Sequence, residues 1–235
     1  MAKKGLLVLV FAALVAGGVF AESRSLFSVG GGVLLELEAG GVSADVNVPL
    51  AGNVGNLTVI NDHVGFGGWF FADARFVELS VGFFGGARDV HASWNLPVGQ
   101  GSGRLYEDSF FAFNLSLLGK FPIDLGRRGN VSIFPLLGIG LNVLGGSELD
   151  DDSGFPNELE RWEANDLTVR IKFGVGGDFN LGQRLFLRTN LLGFYRLPTS
   201  QERDLASSLN NIPGFDASAP GGFGGSLRVG IGFRI

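Results

Sequence analysis

Few side chains in this sequence can do chemistry, and their types narrow the field at once. Cysteine is absent, and histidine occurs only at His63 and His91. That removes disulfides, thiolate metal sites and a cysteine nucleophile. A hydrolase or acyltransferase set needs a histidine beside a serine and a carboxylate. No histidine follows His91, so the second half of the chain cannot supply one. His63 with Ser80 is the only dyad left to consider, and a surface position is the default expectation for both histidines. The run Asp150-Asp151-Asp152 lacks the Gly and Glu positions of an EF-hand loop and reads as a solvated acidic tip. Gly30-Gly31-Gly32 and Gly174-Val175-Gly176-Gly177 lack phosphate-loop spacing and open no helix. A non-enzyme is expected, with no catalytic, metal or cofactor-binding residues.

One group of charges does show regular spacing. Glu36, Glu38, Glu78, Arg170, Lys172, Arg188, Arg228 and Arg234 occupy alternate positions of runs whose other positions are apolar. On a strand, such spacing places them all on one face. If the sheet closes on itself they line its lumen. There they act either as ion pairs that fill and stiffen the interior or as a polar path or pocket. Unpaired charges in a narrow interior are costly. Glu36 and Glu38 are therefore expected to pair with Arg228 across the seam between the first and last strands.

The elements that must hold these charges are strands. The chain has 39 glycines in 235 residues, more than twice the usual share of about 7%. Each Gly inside a helix costs roughly 1 kcal/mol relative to Ala, so helices are disfavoured. Period-two alternation runs through 26–38, 75–84, 109–120, 167–180 and the last nine residues, and more weakly through 59–72, 131–144 and 184–196. Pro135 and the interspersed glycines make 131–147 a strand rather than an apolar helix. Eight strands result. Short links near Asp73-Ala74, 121–130 and 181–183 alternate with long ones at 39–58, 85–108, 145–166 and 197–222. All the long links then fall at one end of an up-and-down sheet. Within the last, Thr199-Ser200-Gln201-Glu202 forms a capping box followed by Leu205 and Leu209 at helical spacing. A short amphipathic helix is expected there, over the barrel mouth or on the membrane surface.

Residues 1–21 read as a cleaved signal peptide, with Lys3 and Lys4 before an apolar stretch and small residues up to Ala21. Residues 22–235 form a single domain. With a net charge of −5 over the whole chain, no nucleic-acid partner is expected. Long polar loops, outward apolar stripes and inward charges describe a membrane barrel, whose closure leaves no unpaired edge in lipid. Seven inward glycines (Gly30, Gly32, Gly82, Gly174, Gly176, Gly230 and Gly232) make room for larger neighbours. Phe70, Phe76, Phe84, Phe110, Phe121 and Tyr195 are expected in the interfacial girdles.

On these residues the sequence resembles the small eight-stranded bacterial outer-membrane barrels, of the OmpW, OmpX and OmpA-barrel type and OmpW-like in length and loop size. Its last residues sharpen the resemblance. Leu227, Val229, Ile231, Phe233 and Ile235 alternate up to the terminus, similar to the signal that the barrel-assembly machinery reads. That family usually ends in Phe or Trp, whereas this chain ends in Ile235. The resemblance implies an all-β, eight-stranded antiparallel up-and-down transmembrane β-barrel with short periplasmic turns and four long external loops. It implies outer-membrane lipids and the assembly machinery as partners, in the bacterial outer membrane. Two functions fit: a narrow passive channel for small or hydrophobic solutes, or a non-enzymatic structural or surface-interaction barrel binding an external ligand through its loops. A filled lumen favours the second and a continuous pocket the first.

Overall fold

The computed structural model describes residues 27–48, 52–97, 99–125, 130–146 and 166–235. The leader at 1–21 and the Asp150–Asp152 run lie outside the described residues. Alternation produces the expected strands: β1 (Phe27–Val48), β2 (Gly52–Ala74), β3 (Val77–Leu96), β4 (Gly99–Lys120), β5 (Ile123–Leu125), β6 (Val131–Gly146), β7 (Asp166–Asn180), β8 (Leu185–Arg196) and β9 (Phe215–Arg234). All pairings are antiparallel. β1 also pairs with β9, from Ser28↔Arg234 to Val46↔Phe215, which closes the sheet on itself.

The ring has eight strands because β5 continues β4. Lys120↔Leu136 and Ile123↔Ile133 lie in one unbroken register along β6. Between them, Phe121-Pro122 faces Phe134-Pro135. Proline has no N–H to give the ladder, so pairing lapses for two residues and resumes.

The two faces separate as the period-two pattern demands. On β1, Val29, Val33, Leu35 and Leu37 are exposed, while Ser28, Leu34, Glu36 and Glu38 are buried. On β7, Leu167, Val169, Ile171, Phe173 and Val175 point outward, with Thr168, Arg170, Lys172 and Asp178 buried. Exposed apolar side chains on every wall of a closed barrel form a belt that suits hydrocarbon, not water. Leu227, Ile231, Phe233 and Ile235 belong to this belt, with the terminal Ile235 N–H bonded to the Phe27 carbonyl.

Two expected long loops are strand almost to their tips. β1 and β2 have 22 and 23 residues, β3 and β4 have 20 and 22, against 15 for β7 and 12 for β8. A membrane crossing uses only about 9–11 residues. The segments 39–48, 52–58, 85–96 and 99–108 therefore stand clear of the apolar belt as paired hairpins. Outside the bilayer both faces of a strand tolerate polar residues, so the alternation that marks a strand weakens there. These external excursions are long, as expected, but regular. With β9 they form a five-stranded crown, β9-β1-β2-β3-β4, on one side of the mouth.

The 197–222 connection carries the expected helix, α1 (Ser200–Asn210), whose capping box closes between Thr199 and Glu202. Its Ala206 packs with Val42, Ala44 and Ala217, and Leu205 reaches Val59 and Val90. α1 thus sits over the barrel mouth, against the inner face of the crown.

At the opposite end β2 turns into β3 over two residues. Phe76 N–H donates to the Ala74 carbonyl across Arg75, whose φ is +45°. A side chain in that region strains the backbone. Replacing Arg75 with Gly is expected to raise the free energy of unfolding by about 1 kcal/mol. Urea titration in lipid vesicles measures it; an unchanged midpoint would show that the turn holds no strain.

Candidate functional site

The inward charges gather into three levels. At the short-turn end, Arg188 on β8 donates through Nε and Nη2 to both oxygens of Asp178, at 2.6 Å each. Its Nη1 donates to Glu78 on β3 at 2.9 Å, and Nη2 lies 2.7 Å from Asp73 on β2. Lys120 bonds the same Asp73. The guanidinium is 4.3 Å from the ring centroid of Phe71 and 5.0 Å from that of Phe186. A shallow recess of about 70 Å³ opens from this end, with Arg75, Lys120, Arg188 and Arg234 among its walls. Arg234 is only partly buried and bonds Asn180 at 2.5 Å.

The middle level holds two buried cations without an ion pair among the described residues. Lys172 donates to Asn114 Oδ1 and Ser116 Oγ at 2.8 and 2.7 Å. Arg228 donates to Ser80 Oγ at 3.0 Å and lies 5.5 Å from the Trp69 ring. The expected pairing of Glu36 and Glu38 with Arg228 is therefore not formed. In the β1–β9 register Arg228 stands opposite Leu34, while Glu36 faces Ser226 and Glu38 faces Gly224. Both glutamates reach across the lumen instead.

Their partners form the upper level. Arg170 on β7 donates to Glu36 at 2.6 Å and also to Glu38. Arg196, at the end of β8, bonds Glu38 and holds Glu202 of α1 through two contacts of 2.7 and 2.8 Å. The helix is thereby fastened to the lumen network. His63 was expected at the surface; it is 5% exposed and faces inward beside Glu36 and Glu38. Ser80 accepts from Arg228, whereas His63 turns its Nε2 toward Glu36 and Glu38.

Five other buried charges belong to the network: Lys120 and Asp178, which alternation already puts on the inward face of their runs, and Asp73, Arg196 and Glu202, which it does not. The last three lie at a strand end or in the helix, where alternation gives no sign of direction. Asp178 shares its face with Arg170 and Lys172.

Aromatic side chains complete the filling. Phe84 and Phe110, expected in the girdles, are buried in the lumen, whereas Phe70 and Phe121 are exposed as expected. The outward belt is edged instead by Phe66 and Phe111, both registered to Gly85, and by Phe223. Inner rings lie over glycines of adjacent strands: a Cβ on Gly232 would meet Phe186 at 2.2 Å, and one on Gly176 would meet Phe134 at 2.2 Å. Small and large residues are thus matched across the ladder, as a narrow eight-stranded barrel requires.

No family model and no curated protein matches the chain. Among solved structures, it is similar to the outer membrane protein OprG from Pseudomonas aeruginosa, with 10% identity, TM-score 0.46, and coverage of 92% of this chain and 98% of that one. It is also similar to Neisserial surface protein A, with 9% identity, TM-score 0.38 and coverage of 86% and 97%. The outer membrane protease OmpT from Escherichia coli gives 9%, 0.35, and 92% and 99%. The fold rests on this chain's own ring of pairings and outward apolar belt: it is an eight-stranded antiparallel transmembrane β-barrel.

Proposed function

We propose that this protein is an integral barrel of the bacterial outer membrane that is closed to solutes and acts through its external crown, as a non-enzymatic structural or surface-interaction protein. The observation carrying this reading is the burial of the lumen at all three levels. Glu36, Glu78, Asn142, Arg170, Lys172, Arg188 and Asn190 all have 0% exposure. Side chains from opposite walls meet there and leave no room for water, so a continuous passage would require them to move together. Above that level α1 covers the mouth, held by Arg196 and Glu202. The crown offers five strands projecting past the lipid belt, consistent with a surface that meets external ligands.

Planar-bilayer recording of the refolded protein tests the reading. No steady single-channel steps are expected from the unaltered chain. Truncating Arg170 and Lys172 together to Ala is expected to create measurable conductance by removing the plug. Reproducible ohmic conductance of the unaltered protein would overturn the closed reading in favour of a passive channel.

A further inference from the structure

Three residues of the upper lumen are brought together by strand register alone. Glu38 on β1 stands directly opposite His63 on β2, and Glu36 lies two positions along on the same face. His63 Nε2 is 3.9 Å from Glu36 Oε1 and 3.9 Å from Glu38 Oε2. It has no hydrogen-bond partner, although its side chain is only 3% exposed, and Glu36 Oε2 is likewise without one. An orphaned buried nitrogen aimed at two carboxylates is a costly arrangement unless something lies between them.

The spacing identifies what fits. At 3.9 Å the nitrogen is too far for a direct hydrogen bond, which ends near about 3.2 Å. The three ligand atoms lie within 4.8 Å of one another. The centre of such a triangle is roughly 2.3–2.5 Å from each corner, so a contraction of a few tenths of an ångström brings all three to metal bonds of about 2.0–2.2 Å. We propose that His63, Glu36 and Glu38 form a buried binding site for a divalent transition cation of the zinc type, beneath α1.

The surroundings suit that role. Arg170 donates to the same two carboxylate oxygens, and each ionised oxygen keeps a further lone pair for a cation. Arg170 thus orients the two carboxylates, as hydrogen-bonded partners of metal-binding carboxylates do. The edge-to-face contact of His63 with Phe110, at 5.0 Å between centroids, fixes the imidazole plane. Arg196 is shared between Glu38 and Glu202 and braces Glu38 from the helix side. The site would tie β1 to β2 and, through Arg170, to β7.

The test uses the full mature chain, refolded in detergent, stripped with chelator and then refolded with Zn²⁺. One zinc per chain after desalting is expected, with a higher melting temperature. His63→Gln, which keeps the side chain's bulk and polarity, is expected to weaken zinc binding by more than about tenfold, and Glu38→Gln likewise. His91→Ala is expected to bind as the parent does. Heat-modifiable gel mobility shows that each variant is folded. Absence of stoichiometric zinc in folded parent protein would overturn the proposal. So would zinc retained by folded His63→Gln, or a melting temperature that responds to pH through His63 but not to zinc. These outcomes are independent of the conductance that tests the closed barrel.

Discussion

Replacing Arg188 with Met is expected to destabilise the folded barrel by about 3–5 kcal/mol, the usual cost of removing one partner from a buried ionic network. The substitution keeps much of the volume and leaves Asp178, Glu78 and Asp73 without their shared cation. Lys120 still bonds Asp73, but Asp178 and Glu78 lose their only ion-pair partner among the described residues. It also vacates a position packed against Phe71 and Phe186, so dispersion contacts go with the charge. Urea unfolding in lipid vesicles, followed by Trp fluorescence, measures the loss. Adding Asp178→Asn and Glu78→Gln to Arg188→Met is expected to restore part of it, because neutral groups cost less to bury than unpaired carboxylates. A loss below about 1 kcal/mol would mean that water entering the adjacent recess solvates the stranded acids, as it does at exposed pairs.

The second large effect concerns which cation holds Glu36. A double-mutant cycle between Glu36→Gln and Arg170→Met is expected to give a coupling energy within about 0.5–3 kcal/mol, towards the upper end because the pair is fully buried. The same cycle with Arg228→Met is expected to give clearly less, since Arg228 contacts Ser80 and Trp69 instead. The single substitutions should differ too. Arg170→Met strands Glu36 and leaves Glu38 with Arg196 alone, whereas Arg228→Met removes a buried cation that has no ion pair among the described residues and is expected to be close to neutral. Stronger coupling of Glu36 to Arg228 than to Arg170 would sink the cross-lumen assignment.

The contrast between these two arginines shows how far the sequence could be read. Both were placed in the lumen by parity alone, and both are there. Their partners depend on distances through the lumen, not along the sheet. Glu36 and Arg170 are 134 positions apart in sequence and on strands that do not pair. Position in a run says which way a side chain points; it does not say how far around the ring the opposing wall lies. His63 was lost for a related reason. The alternation of β2 is weak, and its Gly-rich stretch from Gly65 to Gly68 obscures which face each residue takes. The capping box at Thr199, by contrast, was readable because its bonds run between residues three apart.

The sequence by itself determined the barrel: a period of two set the lipid and lumen faces, charge was kept to where lipid does not reach, and many glycines fell on the inward face. It also marked the helix, through a strictly local cap. Only the tertiary structure decided that two polar connections are paired hairpins, because outside the bilayer neither face must be apolar and the pattern fades. Closure likewise decided the chemistry of the lumen. Eight strands bring opposite walls within reach of an arginine side chain, so Arg170, Arg188 and Arg196 choose partners across the interior. The register of β1 on β2 sets His63 beside Glu36 and Glu38, 3.9 Å from each and beyond the reach of a direct hydrogen bond.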